Sequence, residues 1–433
     1  MEGLMSPNLN MFRVFLVLVL LCFSSSNMAI DLDNHPKVKA VATKLVEGGH
    51  YNYDELEAIF AKAKVSQSVL DAMTSPAEYK FTWGKYRKLF LKEDRINQGA
   101  DFWADHKAQL TRAEKEYGVP AEVIVAIVGV ESKFGKFKGK HKVINSLVSL
   151  VTGFPRRSKF FAGELEHFLI LSKENNLDAT AILGSYAGAV GFPQFISSSY
   201  RNYAIDFNED GSTDLINQVD DAIGSIANYF IENGWKPGQP VTSEPLQQVD
   251  QRVQDLANTK RKVQYSAKDL RNSGAKLAPA IQGTEKLGVL MLDSSEIVHD
   301  KKSSGTYVVR AGDTACQIAE RLSVSCKKLF SLNKLNAKGD IYRGQKLKIP
   351  GAAVKKKKAE TGDSGKWQVN SGKETNEDKK LIDGPQPVYF YTHHNFYAIT
   401  KYNHSVLYAM AVHDLSQAIL KKYRSNQATS NES

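Results

Sequence analysis

Apolar side chains recur at helical spacing over residues 36 to 75, with Val38, Val41, Leu45, Leu56, Ile59 and Phe60 as the repeat, and again over 98 to 135 and 143 to 175. The first two thirds of the chain are therefore expected to be mainly α. The spacing changes at Lys286-Leu-Gly-Val-Leu-Met-Leu-Asp293, which alternates as a strand does, and Pro387 to Lys401, rich in tyrosine and phenylalanine, reads as a second strand-like region. Between these two lies a unit of different character. Residues 306 to 350 open on Tyr307-Val-Val, pass through Gly312-Asp313-Thr314, carry two short helical patterns and close on Gln345-Lys-Leu-Lys-Ile-Pro350, a βααβ order. Its flanks, Lys301 to Gly305 on one side and Lys355 to Lys358 with the polar stretch up to Asp383 on the other, have linker composition. A small module inserted between two β segments of one larger domain is expected, because hairpin tips tolerate insertions.

The first residues change the picture further. Arg13 precedes the apolar run Val14 to Phe23, and small and polar residues follow up to Ala29, the order of a secretory signal over residues 1 to 29. The run is shorter than the roughly 20 residues that a spanning helix needs, so the chain is expected to be exported to the periplasm. Cys22 invites a lipid anchor, but Leu20 and Leu21 before it are bulky where such processing needs a small residue. Removal of the signal would leave Cys316 and Cys326 in an oxidising compartment, either as a disulfide or as two small buried hydrophobes. With 433 residues the chain has room for two or three domains, and its net charge of +10 favours a polyanionic neighbour. Nucleic acid, an anionic membrane surface and the acidic bacterial wall all satisfy that charge; no nucleic-acid motif accompanies it.

Chemistry is concentrated at Glu131. The segment Val119-Pro-Ala-Glu-Val-Ile-Val-Ala-Ile-Val-Gly-Val-Glu131 has proline in its first turn and is then apolar on all sides, which predicts a buried helix. Glu131 falls at its end, on the face of Ile124, Ile127 and Val128, with Gly135 as a stop signal. Desolvation and the negative end of the helix dipole both disfavour the carboxylate there, as a general acid near neutral pH requires. A glutamate paired with a core arginine is the competing reading.

A second signal is Asp206-Phe-Asn208-Glu-Asp210-Gly211-Ser212. Oxygen ligands at the first, third and fifth positions with glycine at the sixth suit a hard cation such as Ca2+. The twelfth position is Asn217 where an ordinary EF-hand has glutamate, and an acidic turn satisfying its own amides is the alternative.

Five ordered motifs make the chain recognisable: Gly129-Val-Glu131-Ser-Lys-Phe-Gly135, Phe154-Pro-Arg-Arg157, Phe161-Ala-Gly-Glu-Leu165, Gly184-Ser-Tyr-Ala-Gly-Ala-Val-Gly-Phe-Pro-Gln-Phe195 and Asp221-Ala-Ile-Gly-Ser-Ile-Ala-Asn-Tyr229. They resemble the membrane-bound lytic transglycosylase B family over about 36 to 293, and Asn395-Phe-Tyr397 with Thr400-Lys-Tyr-Asn-His404 extend the match over 387 to 420 as that family's C-terminal strand and helix. The resemblance implies a goose-lysozyme-like α domain with additional helical and small β subdomains around a saccharide groove. It implies catalytic segments over 36 to 300 and 385 to 422, joined through a linker at 351 to 384.

By the same resemblance Glu131 protonates the oxygen between N-acetylmuramic acid and N-acetylglucosamine, then accepts the proton of the muramyl 6-hydroxyl, giving a 1,6-anhydro product without hydrolysis. The substrate's own hydroxyl replaces water, so a single carboxylate suffices. Glu164 and Glu166 are expected in helix-surface or structural roles. Ser185 and Gln194 are implied at the active site. Arg156 and Arg157 could hold stem-peptide carboxylates, and Tyr86, Tyr229, Tyr397, Tyr402 and Asn403 are groove candidates that read equally as core. The related loops close on an aspartate, here Asp221 with Asp220 as the alternative, and take the Ser212 backbone carbonyl as a ligand.

Residues 306 to 350 resemble a LysM domain, a glycan-binding module in which Gly312, Asp313 and Thr314, with Asn336 and Ile341, are the implied contact positions. Cys316 departs from the aromatic or aliphatic residue common there. Tethering weak glycan binding to a catalytic domain raises the local substrate concentration. The expected partners are peptidoglycan glycan strands, with cell-wall synthases and the outer membrane as further candidates. A hydrolytic muramidase and a non-catalytic peptidoglycan-binding protein are the competing functions.

Overall fold

In a computed structural model of the chain, the described residues are 29–74, 81–258, 262–294, 306–309, 313–321, 325–336, 339–342, 344–348 and 387–432. The expected signal, except Ala29, the linker at 351 to 384 and Gly312 lie outside them.

Helices dominate, and two of their apolar clusters position the site. The first forms around the helix Ala121–Ser132, whose residues Ile124, Val125, Ala126, Ile127 and Val128 are fully buried. An apolar helix exposes no polar stripe to water, so it must be wrapped. Here Glu93–Asp105, Lys107–Tyr117, Val219–Glu232 and the long C-terminal helix Val406–Glu432 pack around it. The second cluster joins Pro36–Glu47 and Tyr53–Phe60 to the pair Val143–Gly153 and Ser158–Glu174. Tyr53–Phe60 starts in a full capping box, Asn52 accepting from the Glu55 N–H while the Glu55 carboxylate accepts from the Asn52 N–H. Glu164 is buried and accepts from the N–H and hydroxyl of Ser198 at 3.0 and 2.7 Å, fixing the start of the helix Ser197–Tyr203. Glu166 pairs with Lys44 at 3.4 Å. Both glutamates thus serve the scaffold.

A four-stranded antiparallel sheet carries the chain's late segments in the order Thr242–Ser243, Val388–Thr392, Lys286–Leu292, Tyr265–Ser266. Lys286–Leu292 pairs directly with Val388–Thr392, from Gly288 opposite Thr392 to Leu292 opposite Val388, so everything between 293 and 387 emerges from one end of a two-stranded ladder. Lys286–Leu292 is buried along nearly its whole length because both faces are covered: Leu290 and Leu292 enter the first helical cluster, while Leu287 and Val289 enter a smaller one with Val253, Leu270 and Tyr391.

The strand-like reading of 387 to 401 needs correcting. The strand ends at Thr392, and His394–Tyr402 is helical. Asn395, at the start of that helix, is fully buried and bonds the main chain of Lys236 and Gln239, a tertiary tie that overrides the β preference of the aromatic residues around it.

In the inserted unit, the strands Thr306–Val308 and Lys346–Lys348 pair antiparallel, and the helices Ala315–Arg321 and Cys326–Asn333 lie between them in sequence. Val309, Ile318, Ala319, Leu329 and Leu347 form its own core. Of the two readings left open for the cysteines, the disulfide is the one observed, joining Cys316 to Cys326.

Candidate active site

The helix Ala121–Ser132 ends abruptly, three residues before the glycine that its sequence offers as a stop. Lys133, Phe134 and Gly135 all have left-handed backbone, with φ of 50°, 58° and 79°. Two of these are not glycine, and each such residue costs on the order of 1 kcal/mol or more. Packing holds the turn in place. Phe134 folds back over Gly129, where a Cβ would stand 2.6 Å from its ring, and Gly135 meets Phe192, where a Cβ would stand 2.1 Å away. Ser132, fully buried, ties the turn by accepting from the Gly135 N–H at 3.0 Å and donating to the Val128 carbonyl.

Glu131 sits on the last turn of this helix, half-buried, and its carboxyl is not left to rotate. The Tyr408 hydroxyl donates to Oε1 at 2.6 Å. Tyr408 is itself buried in the C-terminal helix, and burial together with the nearby Glu131 and Tyr402 pushes its phenol well above the ordinary tyrosine range. Its proton therefore stays on the oxygen and stays directed at the carboxyl. Sequence reasoning misses Tyr408. It precedes Ala409-Met-Ala-Val412, all buried, so it reads as one more core position of an apolar helix.

Tyr402 lies parallel to Tyr408, ring centroids 6.4 Å apart, and donates to the Pro193 carbonyl at 2.6 Å. That contact joins the glutamate to the segment 192–195. Gln194 has left-handed backbone at φ 49° and its amide donates to the carbonyls of Lys138 and Gly191 at 3.1 and 2.9 Å. With its N–H groups occupied there, its amide oxygen is the group left to offer a ligand. The Lys138 ammonium lies 4.5 Å over the Phe192 ring and donates to the Ile216 carbonyl, closing the segment from the other side.

Ser185 follows the short strand Leu183–Gly184, which pairs with His141–Lys142. Its hydroxyl oxygen accepts from the N–H groups of Ala187 and Ala189 at 3.2 and 3.1 Å, which pins the tight turn and leaves the O–H as a donor. The backbones here touch: a Cβ on Gly139 would stand 2.0 Å from Gly184.

The remaining candidates separate into layers. Tyr229 and Tyr86 are core residues; Tyr229 meets Tyr402 edge-on at 4.9 Å, and Tyr86 is close enough to Tyr408 to affect its ionisation. Asn403 is half-buried directly after Tyr402, at the end of the helix His394–Tyr402. Tyr397, on the helix His394–Tyr402, packs against the sheet, bonded to Thr392 at 2.9 Å and lying over Gly288. Arg156 and Arg157 are exposed on the 3-10 turn Pro155–Arg157, where the Arg157 guanidinium lies 4.2 Å over Phe160. In the inserted unit, Asp313 accepts from the Tyr307 hydroxyl at 2.7 Å, Thr314 and Asn336 are exposed and Ile341 is half-buried.

The 206–221 loop has hard-oxygen chemistry throughout. Asp206 accepts from the N–H groups of Asp210 and Gly211, Asn208 from that of Asp210, and Asp210 from that of Ser212. Asp221, fully buried, closes the loop by accepting from Phe207, Asn208 and Asp214, whereas Asp220 turns away to Gln109. Burial raises the Asp221 carboxyl above the usual range, with Asp206 adding to the effect. Among the described residues no group of three or more His, Cys, Asp or Glu side chains converges as a metal site. The carboxylates of Asp206, Asp210 and Asp221, the Asn208 amide and the Ser212 carbonyl are all hard oxygen groups, and in this structure the three carboxylates are turned to the loop's own N–H groups.

Comparison with known proteins identifies the family and the fold. Residues 33–309 and 334–417 match the family described as transglycosylase SLT domain, and residues 307–350 match the LysM domain. The chain is 39% identical over 223 residues to the membrane-bound lytic murein transglycosylase B of Escherichia coli K12; the match covers 49% of this chain and 62% of that protein, so it spans about three fifths of the relative's length. A solved structure of the catenated lytic transglycosylase SltB1 from Pseudomonas aeruginosa superposes with a TM-score of 0.65 at 30% identity, covering 91% of this chain and all of that one. The Escherichia coli lytic transglycosylase Slt35 in complex with bulgecin A gives a TM-score of 0.65 at 29% identity over 92% and 96% of the two chains. In its complex with calcium Slt35 gives 0.64 at 28%, with the same coverage. The chain belongs to the transglycosylase SLT family and carries a LysM domain.

Proposed function

We propose that the chain is a peptidoglycan lytic transglycosylase, acting on the bond between N-acetylmuramic acid and N-acetylglucosamine through Glu131 alone. One observation carries this reading: a single half-buried carboxyl at the end of an apolar helix, oriented by the Tyr408 hydroxyl at 2.6 Å. Glu131 gives its proton to the glycosidic oxygen, and the Tyr408 hydrogen bond stabilises the carboxylate so formed. That carboxylate then takes the proton of the muramyl 6-hydroxyl, which closes the 1,6-anhydro ring. Gln194 offers its amide oxygen to an N-acetyl N–H or a sugar hydroxyl, Ser185 its O–H, and Tyr402 with Asn403 walls the sugar beside the carboxyl. Arg156 and Arg157 suit stem-peptide carboxylates at the periphery, while Tyr86 and Tyr229 act through the rings that they support.

A hydrogen bond to a charged group contributes about 1.5–3 kcal/mol. Tyr408→Phe is therefore expected to lower kcat roughly 10- to 100-fold with KM and melting temperature little changed. A raised KM with intact kcat would instead make Tyr408 a substrate contact.

The residues 36 to 300 and 385 to 422 would form the catalytic unit, with the module at 306 to 350 binding glycan through Asp313, Thr314, Asn336 and Ile341 and, outside the described residues, Gly312. Export to the periplasm follows from the reading of residues 1 to 29. Among the described residues no helix is long and apolar enough to cross a membrane. Slt35 has been solved with calcium, and Asp206, Asn208, Asp210, the Ser212 carbonyl and Asp221 form the oxygen set that would hold Ca2+ here, with a structural role beside the groove. A ligand bound only by the folded state at 100 times its Kd stabilises by about 2.7 kcal/mol. Calcium should accordingly raise the melting temperature by several degrees, an effect that chelation reverses and Asp210→Ala removes; equal melting with and without calcium would reject the site.

A further inference from the structure

The strand Thr242–Ser243, at the edge of the sheet, carries a constellation that the glycan chemistry does not use. The Ser243 hydroxyl stands 2.5 Å from Nε2 of His393, and Nδ1 of the same ring stands 2.7 Å from Oε1 of Glu285. Serine, imidazole and carboxylate are thus in line, each within hydrogen-bond reach of the next. The imidazole is 1% exposed and the carboxylate 28%.

Three separate backbone segments hold this geometry. The His393 N–H donates to the Val241 carbonyl at 3.0 Å, which sets the ring between the two strands. Glu285 is fixed by its N–H to Gln282 at 3.0 Å and by its carbonyl to the N–H of Ala267 at 2.7 Å. A carboxylate oxygen only accepts, so in the neutral tautomer with its N–H at Nδ1, turned to Glu285, the Nε2 lone pair faces the Ser243 hydroxyl. That is the protonation state in which an imidazole takes the proton of an attacking serine. The register also fixes the direction of the backbone N–H next to the serine. Val241 and His393 form a hydrogen-bonded pair, so strand alternation makes Ser243 and Tyr391 the next such pair and directs the Thr242 N–H to the open edge of the sheet.

We propose that Ser243, His393 and Glu285 form a second catalytic site, a serine esterase for carboxylic esters with a small acyl group of acetyl size. Ser243 Oγ attacks the acyl carbon and its proton passes to His393 Nε2. The tetrahedral adduct collapses, the ester C–O bond breaks and the departing alcohol takes that proton. Water then attacks the acyl-serine with His393 again as base, which releases the carboxylic acid and restores Ser243. Glu285 orients the ring and stabilises the imidazolium in both halves. With the ring buried and the serine half-buried, the smallest acyl groups meet the least obstruction on approach to Ser243 Oγ.

The test uses the full-length protein carrying Glu131→Gln, so that lytic activity contributes nothing. A fluorophosphonate probe is expected to label Ser243, located by peptide mass mapping, and p-nitrophenyl acetate is expected to be hydrolysed faster than the octanoate. Ser243→Ala should abolish labelling and lower acetate hydrolysis at least about 100-fold, with the melting temperature within a few degrees of the parent. His393→Gln should lose labelling; because that position is buried, Glu285→Gln supplies a second variant at a partly exposed site, with acetate hydrolysis reduced and fold retained. Absence of an adduct on Ser243, hydrolysis unchanged by Ser243→Ala, or labelling undiminished in Glu285→Gln would each reduce the constellation to a structural tie and overturn the proposal.

Discussion

Glu131→Gln is expected to leave the protein folded and bound to sacculi while release of anhydro-muropeptides falls about 1,000-fold or more. Glutamine keeps the volume and an oxygen to accept from Tyr408, so the helix end and its left-handed turn lose little. What it removes is the proton. General acid–base catalysis contributes about 100- to 10,000-fold for one transfer, and in the proposed reaction the same group serves in two. Soluble products from digested sacculi, separated and weighed by mass spectrometry, measure the effect. Substantial residual release would take Glu131 out of its assigned role.

Gly139→Ala is expected to have the largest effect on stability of any single methyl addition near the site. Gly139 has φ 105°, a conformation that L side chains rarely adopt, and its new Cβ would stand 2.0 Å from the carbonyl carbon of Gly184. The obstacle is backbone, which cannot rotate away as a long side chain does. Either the pairing of His141–Lys142 with Leu183–Gly184 opens or the strain is stored, and a loss of about 3 kcal/mol or more is expected. Chemical denaturation would report it. Because Ser185 follows Gly184 directly, kcat should fall too. Gly188→Ala serves as a comparison: there the neighbour is the Leu147 side chain, which can move, and the cost should be smaller.

The elements nearest the carboxyl are the most legible in the sequence. An unbroken apolar run with one acid at its end leaves burial as the only stable arrangement for the helix, and the structure wraps it on all sides. The same pattern cannot reveal Tyr408. Its position falls on the buried side of a helix that is apolar before and after, and only the tertiary placement of that helix against Ala121–Ser132 brings its hydroxyl to Glu131. The helix end is also hard to place, because Gly135 is the obvious stop, whereas Lys133 and Phe134 take up the left-handed turn under packing pressure from Phe192 and Gly129. Aromatic residues at 387 to 401 mislead in the opposite direction: their β preference is local, and the Asn395 bonds to Lys236 and Gln239 that make the second half helical span more than 150 residues of sequence. Hairpin continuity across the insertion is readable because both flanking strands have strong apolar character. The serine, histidine and glutamate gathered beside the sheet are not, since Ser243, Glu285 and His393 each sit in an ordinary segment with no motif around them.

The most direct test of the central claim is the fate of water. If the muramyl 6-hydroxyl is the nucleophile and Glu131 its base, sacculi digested in water enriched in heavy oxygen should yield muropeptides with anhydro ends and no incorporated label. Products with reducing ends that carry the heavy oxygen would show that water attacks instead, and would contradict the account.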